Sequence, residues 1–493
     1  MGRRLTLNEK LYSVASEFAP PFAIQFILKG KGKIDLEYLA ARLDQYRIHR
    51  NTSDKEPSFP AFFLAYHERK GWSYDGGVPS IILHQGPLPS DWNHPFFREA
   101  IDLKKDSLIE LHIFRDQSDT LVFKTPHTVM DAKGGLIMLQ TLLELSWKES
   151  PSISASPYLA DHQARKEAAQ DSKKNREGYA FTWAGPNLDS ADKHGFRWAT
   201  LSFEGPSEGV LAQVAHWFAQ KHQRDCRFLI PVDIRRHSPK LTNATSNLSL
   251  PIYLQVSPNE KAETIQAKLL KALQNKEELY AEPMEAFGRR APNHLLRSIF
   301  SMGISKSAKD GLFPMSGILS DIGKVDLGNF TTSSFQAEAI IPLPVYVPLA
   351  PFCMNILRSA QTTHLGLSMP AKGFEENVQE LKSFVKGLTA TSISEIKQEE
   401  PVEVNYSLEE AEELRGIWSD ILEISLEEVA IGSNFQELGG DSLSFLTMLN
   451  EVSTDMLGRT DTAFLNKAMD TAGKVSIPQL LDLVKEFSKR SIQ

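Results

Sequence analysis

Two short stretches hold residue types that could do chemistry at a useful spacing. At 438–443 the chain reads LGGDSL, which places Ser442 behind an aspartate and two glycines. At 126–135 it reads PHTVMDAKGG, with His127 four residues ahead of Asp131 and a glycine pair just beyond. Ser442 can be read as an ester-hydrolysing nucleophile, a site of covalent modification, or an ordinary helix start. A hydrolytic serine needs a histidine base and an acid to orient it. The last histidine, His364, lies upstream of Ser442, and the preceding NFQELGG does not read as a strand. Both features argue against hydrolysis. A serine after a glycine turn does suit a helix start. A helix N-terminus in turn offers free N–H groups and a dipole to a phosphate.

His-x-x-x-Asp alone says little in a chain with 13 histidines, and His112 with Asp116 in HIFRD repeats the spacing. That second pair straddles a strand end and a turn, and reads as solvated or structural. His127 has a different setting. It follows the second strand of a hairpin, sits in a loop, and precedes Gly134, Gly135 and a helix. Catalytic groups concentrate on loops fixed by a rigid scaffold. Imidazole, with an ordinary pKa of about 6.5, can be neutral near pH 7 and accept a proton.

The elements that must position these residues are legible in outline. FAIQFILKGKG reads as a strand and IDLEYLAARLDQYRIH as a helix. IELHIFR and TLVFKT, joined by DQSD, form a hairpin. LIMLQTLLELSW follows the glycine pair as a helix. Farther on, WATLSFEG and CRFLIPV are strands around the helical VLAQVAHWFAQKH; LPIYLQV is a strand, ETIQAKLLKALQNKEEL a helix, and FCMNILRSA with THLGLSM a strand pair. Helices and strands mix throughout, which gives an α/β (α+β) unit over 1–388. A polar stretch at about 148–196 divides it into lobes of about 1–165 and 190–388. Phe374, Val378, Leu381, Phe384, Val385 and Leu388 recur at helical spacing and close the unit. The polar, Pro401-containing segment 389–406 reads as a linker.

Beyond it, 407–493 is all helical. Ser407 and Glu410 have capping-box spacing, followed by Leu414, Ile417, Trp418, Ile421 and Leu422 on one face. A second helix begins at Ser442 with Leu443, Leu446 and Leu449 inward, and a last one near Ser476 and Pro478. This is a small four-helix bundle.

Composition narrows the function. The chain has 493 residues and a formal net charge of −8, which disfavours nucleic-acid binding. It has two cysteines, Cys226 and Cys353, neither in a zinc-like cluster. With no disulfide framework, membrane span or signal peptide expected, a cytoplasmic location follows. Gly2 and Thr6 match the loose myristoylation pattern. The sequon at Asn243 carries no weight without a secretory signal.

Two resemblances draw these readings together. The segment from about 405 to 490 resembles an acyl or peptidyl carrier protein: SNFQELGGDSL at 433–443 matches its attachment signature, DNFxxLGGDSL. The resemblance implies that Ser442 carries a covalent 4′-phosphopantetheine, with Asp441 and Gly440 part of the attachment motif. It also implies a phosphopantetheinyl transferase as partner. Residues 405–458 contain twelve acidic residues and one basic residue, Arg415, which suits docking to basic partners. RTDTAFLNKAMDTAG at 459–473 departs from the usual third-helix region.

Residues 1–388 resemble the chloramphenicol-acetyltransferase superfamily, which includes condensation domains of nonribosomal peptide synthetases and BAHD acyltransferases. PHTVMDAKGG resembles its HxxxDG motif, and IPVDIRRHSPKLTNATSNLSLPI at 230–252 its vDxRxR…GN segment. Pro126 stands in place of a first histidine and Ala132 in place of the motif glycine. The resemblance implies His127 as general base, Asp131 as a structural residue paired with Arg235, and supporting roles for Gly135 and Asn247. SDIGKVDLGNF at 320–330 resembles a loop of standalone members, and the 315–323 loop is the expected source of an oxyanion donor. Together the resemblances imply acyl transfer from a phosphopantetheine thioester to an alcohol or amine in natural-product biosynthesis. A separate loading enzyme and other assembly-line carriers would then be partners. The alternatives are an inactive scaffold that presents a loaded carrier, and a cyclising or hydrolysing variant.

Overall fold

A computed structural model describes residues 2–52, 64–67, 71–73, 76–143, 183–184, 195–205, 209–238, 241–279, 288, 291–394, 407–422, 424–440, 442–458, 461–469, 471 and 475–489. The polar stretch at about 148–196 and the linker at 389–406 lie mostly outside the described residues, as do Asp441 and the side chains of Ser442, Leu443 and Leu388.

The first sheet has the order β14-β2-β7-β6-β5. It comprises β2 (Ala23–Gly32), β5 (Ser80–Gln85), β6 (Glu110–Arg115), β7 (Thr120–Pro126) and β14 (Phe335–Leu343). The second has the order β11-β10-β13-β15-β16-β9. Its strands are β9 (Phe196–Glu204), β10 (Cys226–Asp233), β11 (Ser249–Val256), β13 (Gly317–Lys324), β15 (Cys353–Arg358) and β16 (Thr362–Pro370). Sheet membership does not follow the expected division by sequence. β14 belongs to the second half of the chain, yet it pairs antiparallel with β2 at the edge of the first sheet, from Phe335 opposite Gly32 to Leu343 opposite Gln25. The two sheets meet where Gly366 of β16 lies against the Pro342 carbonyl of β14, leaving no room for a Cβ.

Three expectations change. Segment 315–323 is not a loop: residues 317–324 form β13, held between β10 and β15. Ser320, Asp321 and Gly323 interrupt its apolar residues, which obscures the strand pattern in sequence. His112 is neither solvated nor paired with Asp116. It is buried on β6, with ring nitrogens 3.1 Å from Glu110 Oε2 and 3.0 Å from His84 Nε2. Asp116 lies in the turn beyond the strand, where its carbonyl accepts from Lys33. Finally, the helix beginning at Phe374 runs to Ser394, past the expected boundary at 388. TATSIS contains no Pro or Gly to stop it.

Helices flank the sheets: α1 (Leu7–Phe18), α2 (Leu36–Thr52), α3 (Pro95–Arg98), α4 (Ala132–Leu143), α5 (Val210–His222), α6 (Ala262–Gln274), α7 (Asn293–Asp310) and α8 (Phe374–Ser394). α1 was not evident from apolar spacing. It is fixed by a capping box in which Thr6 Oγ1 accepts from Glu9 N at 3.2 Å and Glu9 Oε2 from Thr6 N at 2.8 Å. Thr6 thus serves as a helix cap, and Gly2 of β1 (Gly2–Arg3) pairs with Ser73 of β4 (Gly71–Ser73) in a small sheet completed by β3 (Ala65–His67), while β8 (Trp183–Ala184) pairs with β12 (Leu312–Phe313).

The C-terminal bundle comprises α9 (Leu408–Leu422), α10 (Ser442–Leu457), α11 (Thr462–Met469) and α12 (Ile477–Lys489). The Ser407–Glu410 capping box forms, and Leu414, Trp418, Leu446, Leu449 and Leu480 fill the core. Segment 459–473, which departs from the usual pattern, contains α11. Among the described residues no helix is long and apolar enough to cross a membrane, and no group of three or more His, Cys, Asp or Glu could hold a metal ion.

Candidate active site

His127 immediately follows β7, in a turn held at both ends. Its backbone N–H donates to the Phe22 carbonyl at 3.0 Å, and the Val129 N–H donates to Pro126 O at 2.9 Å. The side-chain amide of Asn247 donates to the carbonyls of His127 (2.9 Å) and Thr128 (3.0 Å), a clamp from the far half of the chain. The imidazole is held from within by a 3.0 Å contact between Nδ1 and Met130 O. A carbonyl only accepts, so the neutral ring carries its proton on Nδ1 and leaves the Nε2 lone pair free. Tyr12 packs on the ring with centroids 4.3 Å apart, and Phe22 stacks at 5.8 Å. Burial pushes the pKa below its ordinary value, outweighing Asp131, the local carbonyls and Asn247, which act the other way.

Asp131 turns away from the imidazole and organises the loop. Its Oδ1 caps α4 by accepting from Gly134 N at 2.7 Å, and its Oδ2 accepts from Leu248 N at 2.7 Å. Arg235 bridges both oxygens, at 3.0 and 3.1 Å. The same guanidinium donates to Asp233 Oδ1 (2.8 Å), Ala244 O (2.7 Å) and Ser246 O (2.8 Å). Arg235 and Asp131 are only 5% and 4% exposed. Burial opposes the charge on Arg235, but Asp131 and Asp233 outweigh it and hold the guanidinium above its ordinary value. Gly134 is where α4 touches this second segment: a Cβ there would collide with the Thr245 carbonyl. Gly135 faces the Phe26 and Ile24 side chains, and Ala132 opens the helix.

The structure therefore brings His127, Asp131, Arg235, Asn247 and Gly135 into one neighbourhood. Sequence reading missed Tyr12, whose helix was signalled only by the Thr6–Glu9 capping box. It also missed Asp233, the second anion on Arg235.

His127 lines a cavity of about 1660 Å³. One wall is β13, through Ile318, Ser320 and Ile322; another is Tyr12 and Phe22. The cavity reaches the C-terminal bundle, where Ile421, Leu422, Gly439, Gly440 and Ser444 line it. The bundle is seated on the second lobe by α10 and α11 against α6, with Phe445 and Leu446 sharing one apolar cluster with Leu269 and Leu273. Lys324, at the end of β13, lies beside Gly439, and Gln436 lies near Gly209 at the start of α5.

Gly439 has φ +96°, a left-handed conformation that a residue with a side chain rarely adopts, and a Cβ on Gly440 would strike the Phe435 ring. These glycines turn the chain into α10, which begins at Ser442. Gly439 and Gly440 of this turn line the cavity, and a glycine turn running into a helix N-terminus fits a phosphate-linked group.

Residues 412–456 match the family model described as phosphopantetheine attachment site. No curated protein matches the chain in sequence. Among solved structures, a mutant of the starter condensation domain of rhizomide synthetase RzmA in complex with C8-CoA aligns with a TM-score of 0.52 at 12% identity, covering 79% of this chain and 94% of that one. Another mutant of the same domain, in a "product-released" conformation, aligns with a TM-score of 0.50 at 13% identity, covering 79% and 95%. The chain thus joins a unit with the condensation-domain fold to a C-terminal phosphopantetheine attachment domain, a family whose cofactor is covalent 4′-phosphopantetheine.

Proposed function

We propose that the chain transfers an acyl group from a phosphopantetheine thioester to an alcohol or amine, with His127 as general base and Ser442 as the attachment residue. The observation that carries this reading is one continuous cavity, lined by His127 at one place and by the glycine turn before Ser442 at another. When bound, 4′-phosphopantetheine supplies a thiol that holds the acyl group as a thioester.

The residues of the chain do the rest. Nε2 of His127 accepts the proton of the attacking hydroxyl or amine, since Nδ1 is committed to Met130. The lowered pKa keeps the ring neutral at pH 7, ready to act as a base. Asn247, Asp131 and Arg235 hold the loop so that the ring does not have to be ordered during reaction. The apolar seat of the bundle on α6 keeps the chain's own carrier close to the cavity, raising its effective concentration there. A phosphopantetheinyl transferase installs the arm. Loading enzymes acting in trans, and further carriers of a nonribosomal-peptide-type assembly line, complete the proposed setting.

The test is the chain co-expressed with a phosphopantetheinyl transferase and charged with an acyl group. Intact mass should rise by one arm in the wild type and in His127→Ala, and not at all in Ser442→Ala. Acyl loss to added amines or alcohols should fall by about 10²–10⁴ in His127→Ala. Full turnover in that variant would remove His127 from the reaction, and failure of the wild type to gain the arm would remove the carrier role.

A further inference from the structure

Transfer of an acyl group places negative charge on the thioester carbonyl oxygen as the nucleophile adds, and a donor must meet it. Much of the backbone of 315–323 is already committed. Ser316 N–H donates to Arg227 O, Ile318 N–H to Phe352 O and Gly323 N–H to Asp321 Oδ1, and residues 318–321 are held in the β13–β15 ladder. Four N–H groups around the histidine loop are also engaged: His127 N–H donates to Phe22 O, Val129 N–H to Pro126 O, Gly134 N–H to Asp131 Oδ1 and Gly135 N–H to Asp131 O.

Tyr12 is differently placed. It lines the cavity on α1, and its ring rests on the imidazole at 4.3 Å with a 31° tilt. Tyr12 is half-buried at the cavity wall, and its hydroxyl has no hydrogen-bond partner among the described residues. Phe22, 5.8 Å from Tyr12 and 5.8 Å from His127, completes a three-ring cluster that fixes both groups.

We propose that Tyr12 is a catalytic residue whose phenol O–H donates to the oxyanion that forms at the substrate carbonyl, beside the base His127. The assignment rests on the acyl-transfer reading above. A carbonyl whose attacking nucleophile is bonded to Nε2 lies against the imidazole, on which the Tyr12 ring already rests, and an unengaged O–H there can reach its oxygen at hydrogen-bond length. Burial first, and then the Asp131 carboxylate, raise the phenol pKa well above its ordinary value. Tyr12 therefore remains a donor across the working pH range. No proton leaves it: the O–H donates as the carbonyl π electrons move to oxygen, and the bond is released when they return and the thiolate departs.

The test compares two pantetheine-linked probes on the full chain with Ser442 unmodified. One is a trifluoromethyl ketone, whose acidic hydrate presents an oxyanion; the other is the matching methyl ketone. In Tyr12→Phe, which keeps the ring and removes the oxygen, the trifluoromethyl ketone should bind about 10²- to 10³-fold more weakly, in line with loss of one oxyanion donor. The methyl ketone should bind within twofold of wild type, which also reports an intact site. Equal losses on both probes, or no loss on either, would overturn the assignment. A His127→Ala variant with wild-type acyl transfer would instead overturn the reading beneath it, so the two failures are separable.

Discussion

Arg235 offers the sharpest quantitative test of how the histidine loop is held. Its guanidinium makes five donor contacts, two to Asp131 and one each to Asp233, Ala244 and Ser246. Replacing it with alanine leaves the Asp131 carboxylate buried with only the N–H groups of Gly134 and Leu248. Removing one partner of such a buried pair costs about 3–5 kcal/mol, because the remaining charge stays uncompensated. For a front unit of roughly 390 residues, an unfolding entropy near 2.1 cal/mol/K per residue converts that to a midpoint about 4–6 °C lower. Scanning calorimetry on the full chain would read it. The cycle closes with Asp131→Asn and the double variant Arg235→Ala with Asp131→Asn. The double variant should be more stable than the sum of the single losses predicts, by at least about 1 kcal/mol, since it strands no charge. A midpoint shift under 1 °C in Arg235→Ala, or strict additivity, would show that the pair does not hold the loop.

Two further outcomes follow from the same geometry. Because burial holds the His127 pKa below its ordinary value, kcat/KM should be flat above pH 7 and decline only below about 6.5, a pH–rate profile being the check. The folded state then binds fewer protons at this group than the unfolded state, so its contribution to stability is full above about pH 6.5 and is lost as pH falls toward the folded value. A Gly134→Ala substitution drives a methyl group into the Thr245 carbonyl and should cost about 1–3 kcal/mol while lowering acyl transfer. Urea titration measures the first effect, and wild-type stability would place the contact elsewhere.

The parts of the site that sequence makes legible are those carried by contiguous patterns. His127 and Asp131 stand out by the loop, glycine pair and helix around them, and Arg235 and Asn247 only by the resemblance of 230–252 to a family segment; the structure brings all four together. The contributions of Met130 and Tyr12 are not legible in the same way. Met130 acts through its carbonyl, which any residue supplies. Tyr12 approaches from a helix more than a hundred positions upstream, where only a capping box marks an otherwise irregular apolar pattern. The bundle is readable because its apolar stripe follows α-helical periodicity. β13 is not, since a strand broken by serine, aspartate and glycine is recognised by the neighbours that pair with it, and those are distant in sequence.

The exchange of β14 has a consequence for how the protein comes into being. β2, completed by residue 32, has its outer edge unpaired until residues 335–343 have been synthesised. For most of translation the nascent chain carries an open row of backbone donors and acceptors, a template for wrong pairing. The front unit therefore cannot be divided into independently made halves. A fragment ended anywhere before β14 should associate with itself, and adding the missing strand as a peptide should return it to solution.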